Sequence, residues 1–234
     1  MSFSRVRNMP ASPEARGRKH RRQGTQTVQP IHEREAVERM FRVAAEHDQK
    51  TGLYPFSWEL LLLIGFNTGM RISDLLLLRV RDVRRENGEV HYTAKKTGKF
   101  TYAYLDTQAR RTARMLTDGR GEDEWLFPSR ERVRQGKEHG WQREEGDYPI
   151  TPARAYQVIR EIARQARVSE KVGTHTMRKT FGWFVYEETG DVRKVMQLLR
   201  HDSMESTLRY IGAEQEDLKQ TVYASAHFGL GRMR

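Results

Sequence analysis

Between Trp58 and Phe66 the chain reads WELLLLIGF, apolar on every face apart from Glu59. A helix built from this run has no side to show to water, so it must be buried. Ser57 stands ready as its N-cap. Directly after it comes Asn67-Thr68-Gly69-Met70-Arg71-Ile72-Ser73-Asp74, a tight break closed by Gly69 and restarted by Ser73 as N-cap, with a second helix expected over Leu75 to Val80. Arg71 therefore falls in a bend between two buried helices. An unpaired guanidinium there is costly, so it must meet an anion, either an internal carboxylate such as Asp74 or a bound phosphate.

At 234 residues the chain can bury a sizeable core. The net charge of +11 and pI near 10 favour a polyanionic partner. Residues 1–29 alone hold seven Arg and Lys against one acid and have almost no apolar periodicity, so they read as a flexible basic arm. With no cysteine, disulfides and thiolate metal sites are excluded. The longest apolar run is far too short to span a bilayer, and no hydrophobic signal segment opens the chain, so a cytoplasmic, nucleoid-associated protein is expected.

Around the buried helix other elements are legible. Val37, Met40, Phe41 and Ala44 fall at helical spacing in a segment that ends near Gly52. After the turn signal Asn87-Gly88, two alternating runs (Val90, Tyr92, Ala94 and Phe100, Tyr102, Tyr104) predict a β-hairpin whose tip carries Lys95, Lys96 and Lys99. A helix over 107–117 and a short buried segment, Trp125 to Ser129, follow. Residues 130–148 read as a mobile surface loop. Thr151 and Pro152 then open a helix on which Arg160, Arg164 and Arg167 form one basic face, as contact with a DNA backbone or groove requires.

The last third holds the chemistry. From Thr174 to Gly212 the chain places His175 and Arg178 on one turn, His201 after two further helical runs, and Tyr210 nine residues later on a short helix capped by Ser203 or Ser206. Taken singly, such residues are usually a solvated turn or half-buried core. Together they are the parts that attack of a tyrosine on a phosphodiester needs: a nucleophile, cations on the phosphate oxygens, and proton-transfer groups.

This stretch resembles the second signature box of the tyrosine recombinases, the phage-integrase family. Arg200 stands where Gly usually precedes the second His, and Lys179 where many members carry His. TGMRISDLLLLRVRDV resembles the first box. The resemblance implies a fold that is mainly α with a small antiparallel β-sheet near residues 83–105, and a catalytic domain over 30–212. By the same resemblance Arg71 and Arg178 clamp the scissile phosphate, Tyr210 attacks, His175 takes the phenolic proton and His201 bonds the phosphate. Lys96 best matches the general-acid lysine, with Lys95 and Lys99 open as alternatives. Asp74 orients Arg71, and Lys179, Lys95, Lys99, Arg160, Arg164 and Arg167 are DNA-contact candidates.

The implied partner is double-stranded DNA with specific recombination sites, bound by a homo-oligomer that is a tetramer on DNA, with neither cofactor nor metal. Leu218, Val222, Tyr223 and Ala226 form an apolar stripe in a C-terminal segment, 213–234, expected to dock on a neighbouring protomer. Family members usually carry a further DNA-clamping domain before the catalytic one; here only the basic arm precedes it. Integration, excision, inversion and resolution all remain open as outcomes. Two other readings share the pattern. A type IB topoisomerase would relax supercoiled DNA without joining two sites. A DNA-binding regulator would keep the fold and lose the reaction, against which the full set of active residues stands.

Overall fold

A computed structural model describes residues 28–52, 56–129 and 148–213. The basic arm up to residue 27, most of the 130–148 segment and the stripe from Leu218 to Ala226 lie outside the described residues. The chain enters along α1 (Arg34–Thr51), whose Val37, Met40 and Ala44 are buried at helical spacing. Gly52 ends it at φ 55, and its N–H donates to the Asp48 carbonyl at 3.0 Å.

The apolar run forms α2 (Trp58–Thr68), where every residue except Glu59 and Asn67 is buried. Ser57 caps it by accepting from the Leu60 N–H at 3.0 Å. The cap has a long-range support: the Asp48 carboxylate accepts from the Ser57 hydroxyl at 2.9 Å and from the Trp58 and Glu59 N–H groups at 3.1 and 3.0 Å. Gly69, at φ 60, terminates the helix as expected.

The break that follows differs in detail from the sequence expectation. Arg71, not Ser73, occupies the N-cap position of a single-turn helix, α3 (Ile72–Leu75), and its carbonyl accepts from the Asp74 and Leu75 N–H groups. No helix spans Leu75 to Val80. Arg79 is extended and bridges Trp125, and a second single turn, α4 (Val80–Val83), starts where the Asp82 carboxylate accepts from the Arg79 N–H at 2.7 Å. Pairing with the Trp125–Ser129 segment, which buries Leu126 and Phe127, overrides the local helical pattern.

The hairpin is β1 (Glu89–Thr93) and β2 (Phe100–Tyr104), antiparallel, with Glu89 opposite Tyr104 and Thr93 opposite Phe100. Its tip is the tight turn Ala94 to Lys99, closed by the Gly98 N–H to the Ala94 carbonyl at 2.8 Å. Gly88 closes the open end instead, accepting from the Leu105 N–H at 2.8 Å. Then come α5 (Thr107–Thr117), α6 (Pro152–Gln165), α7 (Thr176–Thr189), α8 (Val192–Leu199) and α9 (Met204–Ile211). The fold is mainly helical with a small two-stranded sheet, as read from the sequence. None of the described helices is long and apolar enough to cross a membrane.

Packing sorts into two cores with α7 as their common wall. The larger gathers around α2 and takes in Met177. The smaller holds Val195, Leu199, Ile211 and Ala213, with Phe181, Trp183, Leu208 and Tyr210 packed against it. Two glycines set the spacing between layers. At Gly69 an added Cβ would lie 2.4 Å from the Phe181 ring, and at Gly182 it would lie 2.7 Å from Ile211 Cγ2 and 2.9 Å from Leu199 Cδ1. Both α8 and α9 thus rest directly on the α7 backbone.

Gly182→Ala should therefore destabilise despite its better helix propensity. The overpacking cost of 1–3 kcal/mol exceeds the ~1 kcal/mol gained, for a net loss of about 1 kcal/mol measured by denaturant unfolding.

Candidate active site

Arg178 lies in the first half of α7 and is buried to 5% exposure. Its Nη1 donates to the Gly69 carbonyl at 2.6 Å and its Nη2 to the Leu199 carbonyl. One guanidinium thus joins the end of α2 to the end of α8, across 109 and 21 residues of sequence. Burial pushes its pKa down, an effect opposed by the nearby phenol of Tyr210 and reinforced by the charge of Arg71.

Around this cation the structure assembles residues that the sequence scatters. The Tyr210 hydroxyl is buried and has no aligned hydrogen bond among the described residues. Burial raises its pKa, while Arg178 and then Arg71 pull it back down. Against its ring lie two side chains: His201, edge-on with centroids 4.9 Å apart, and the Lys179 ammonium at 5.2 Å. Lys179 is thus buried beneath the tyrosine rather than exposed as a DNA contact, and desolvation lowers its pKa.

His201 follows α8 directly. Its Nδ1 lies 3.2 Å from the hydroxyl of Thr207, a fully buried residue whose hydroxyl donates to the Ser203 carbonyl at 2.8 Å. Loss of hydration, then Arg178 and Arg71, lower its pKa to about 4, so the ring is neutral at pH 7. His175, at the N-cap position of α7, is lowered too, by desolvation first and then by Arg178, Lys179, Arg71 and Lys96. Of the three tip lysines, Lys96 is the one whose charge registers on His175. All three are exposed, and neither Lys95 nor Lys99 registers on His175.

Two placements were not foreseen. Asp74 is buried at 3% exposure, but its Oδ1 accepts from the Lys95 N–H at 2.9 Å, so it anchors the hairpin tip and makes no ion pair with Arg71 among the described residues. Tyr92, on the inward face of β1, enters the cluster as a second phenol. Burial raises its pKa, with Arg200, Asp74, Arg178 and Arg71 as the charges that act on it. The alternation Val90, Tyr92, Ala94 was the available signal, since it puts Tyr92 on the face that turns inward.

The arginine row on α6 is less regular than its spacing. The helix ends at Gln165, and Arg167 lies beyond it at φ 56. Arg164 pairs with Glu161 at 2.6 Å, and Arg160 stacks over Tyr156 at 5.4 Å. All three are exposed.

The cluster therefore presents two guanidiniums, two neutral imidazoles and a tyrosine hydroxyl, with the one buried carboxylate turned to the hairpin. Such a site binds an anion with tetrahedral oxygens and puts a phenol beside it.

Comparison with known proteins follows the same lines. Residues 31–217 match the family model described as Phage integrase family. The probable integrase/recombinase YoeC of Bacillus subtilis (strain 168) is 34% identical over 163 residues, covering 70% of this chain and 81% of its own. The crystal structure of XerA recombinase superposes with a TM-score of 0.61 at 19% identity, over 87% of this chain and 67% of that one. That of the XerH site-specific recombinase bound to palindromic difH substrate, a post-cleavage complex, gives 0.57 at 20% identity, over 84% and 53%. These two likenesses bear on the fold. The chain spans about half the length of further tyrosine recombinases that it matches.

The depressed pKa of His201 has a thermodynamic consequence. Between its unfolded value near 6.5 and its folded value of about 4, the unfolded chain binds a proton that the folded one does not. Its contribution to stability is complete above pH 6.5 and is lost as pH falls towards 4. Denaturant midpoints followed from pH 7 to 4.5 should fall further for the wild type than for His201→Asn.

Proposed function

This chain belongs to the phage integrase family, and on that premise we propose that it is a site-specific recombinase that cuts and rejoins DNA through a 3′-phosphotyrosyl intermediate. The observation that carries the reading is the buried Tyr210 hydroxyl in the joint field of Arg178 and Arg71, with neutral His175 and His201 beside them.

In the proposed reaction the scissile phosphate enters between Arg71 and Arg178, which balance the charge that builds on its non-bridging oxygens. Tyr210 Oη attacks phosphorus while its proton passes to His175, a neutral base in this environment. The bond to the 5′ oxygen breaks, and Lys96 gives that oxygen a proton. The products are a 3′-phosphotyrosine and a free 5′-hydroxyl. His201 hydrogen-bonds the phosphate, whose negative charge offsets the two arginines that, after desolvation, lower its pKa. Rejoining is the same sequence in reverse with a 5′-hydroxyl from a partner duplex, so the phosphotyrosine conserves the bond and no nucleotide is consumed.

The wider assembly follows from the same reading. The substrate is double-stranded DNA carrying specific sites, four protomers act on two paired duplexes, and the work is done on nucleoid DNA in the cytoplasm. The XerH structure, a recombinase held on its difH substrate, supports DNA as the partner. The seven cations of residues 1–29 serve phosphate contact along the flanking duplex. Arg160, Arg164 and Arg167 do the same from α6 and the turn after it, and the 213–234 segment docks on the next protomer.

The test uses nicked duplexes drawn from the DNA flanking the protein's own gene, which trap the covalent adduct. Tyr210→Phe should abolish the adduct while leaving DNA affinity nearly intact, because one hydroxyl is lost. An adduct that persists at full yield would remove Tyr210 from the mechanism and point to Tyr92, the other phenol in the cluster.

Arg178→Lys should slow cleavage by about 10²- to 10³-fold, the scale of a lost oxyanion donor, since a point charge cannot reach two carbonyls and a phosphate at once. Single-turnover rates on the same duplexes measure this. A wild-type rate would count against a guanidinium clamp.

A further inference from the structure

Arg200 is the first residue past α8 and sits in the left-handed region, at φ 54 and ψ 52. Its N–H donates to the Gln197 carbonyl at 3.1 Å and that of His201 to the Met196 carbonyl at 3.0 Å, the closing pattern for which glycine is favoured. A side chain there strains the backbone. The turn itself needs no guanidinium, so the reason for an arginine lies in what its side chain reaches.

The side chain crosses to the hairpin. Its Nη2 donates to the Tyr102 carbonyl of β2 at 2.8 Å, 98 positions away in sequence, and the guanidinium lies 5.5 Å from the Tyr102 ring centroid. It is also the first of the charges that act on the Tyr92 phenol, from the opposite strand of the hairpin. Arg200 holds β2 just below the tip, and among the described residues the tip itself is tethered towards the site by the Lys95 N–H on Asp74. The hairpin that carries Lys96 is thus held on one side by the α3 turn and on the other by the residue that immediately precedes His201.

We propose that Arg200 is a positioning residue that fixes the Lys96 hairpin against the His201–Tyr210 element, so that proton donor and nucleophile meet the same phosphate. This rests on the recombinase reading and on Lys96 as the proton donor. The arginine does not touch the reacting atoms. It acts by limiting how far the exposed tip swings away from the leaving oxygen.

Arg200→Gly tests this without endangering the fold, because glycine relieves the strain and keeps the turn; thermal stability should stay level or rise. Cleavage of ordinary nicked duplex in single turnover should fall by about tenfold or more, within the range of a lost proton donor, with DNA affinity little changed. The decisive substrate carries sulfur in place of the bridging 5′ oxygen. A thiolate leaves without a proton, so Arg200→Gly and Lys96→Ala should both recover to near the wild-type rate on it. Arg200→Gly that cleaves ordinary duplex at the wild-type rate overturns the proposal. So does a defect equally large on the sulfur substrate, which would place Arg200 on the phosphate or the duplex itself. If Lys96→Ala shows no defect on oxygen, or none that sulfur relieves, the donor assignment fails and the clamp with it. Absence of any wild-type adduct would instead sink the recombinase reading, and an adduct with an unimpaired Arg200→Gly sinks the clamp alone.

Discussion

A buried guanidinium bonded to two backbone carbonyls, and among the described residues to no carboxylate, is the constraint from which the rest of this site follows. Arg178 holds the Gly69 carbonyl at the end of α2 and the Leu199 carbonyl at the end of α8. Carbonyl dipoles at helix C-termini carry only partial negative charge, so they orient the cation without neutralising it. The two chain breaks they belong to lead directly to Arg71 and to His201. The same two contacts that make burial of Arg178 tolerable therefore bring the second arginine and the second histidine to it, and leave positive charge uncompensated. Both histidine pKa values are depressed, by burial first and by that positive charge second. In the proposed reaction an arriving phosphate diester supplies the missing counter-charge, so that binding and activation are one event.

What could be read from the sequence was the part governed by short-range rules. Ser57, Gly69, Thr151 and Ser203 bound helices where their chemistry says they should, because a cap is satisfied by atoms two or three residues away. The turn after α2 was misread at Ser73 and over Leu75 to Val80 because Arg79 pairs with Trp125, a contact that no local pattern announces. Asp74 looked like the partner of Arg71 from its spacing, yet the hairpin tip claims it through the Lys95 N–H. Lys179 and Arg164 were both DNA-contact candidates. One is buried under Tyr210 and the other is paired with Glu161, and both outcomes depend on which helix face turns inward. The catalytic candidates were legible by family pattern, whereas Tyr92 needed the strand's orientation in three dimensions.

The division into two cores gives the nucleophile a different mechanical standing from the phosphate clamp. Arg71 and His175 belong to the frame built on α2 and the start of α7, where Met177 joins the larger core. Tyr210 and the approach to His201 belong to the smaller one, which rests on α7 through Gly182. A small cluster with few buried side chains opens at lower free energy than a large one. Motion of α9 is thereby separable from melting of the frame, and Arg178 is the bond that spans the two.

The enclosure of the Tyr210 oxygen bears on the fate of the broken strand. A phosphotyrosine can be resolved by any hydroxyl that reaches phosphorus in line, and solvent is always the more abundant candidate. In the reaction proposed, the oxygen that becomes the leaving group on rejoining is buried, with the His201 ring and the Lys179 ammonium against the phenol ring that carries it. In-line displacement of that oxygen brings the incoming hydroxyl to the face of phosphorus opposite the tyrosine, where the DNA end must arrive. Hydrolysis of the phosphotyrosine would leave a broken strand ending in a 3′ phosphate that could not be rejoined by the same chemistry. On the reading proposed, the cut is instead a reversible joint, held by a tyrosine whose place is set by the packing around its ring.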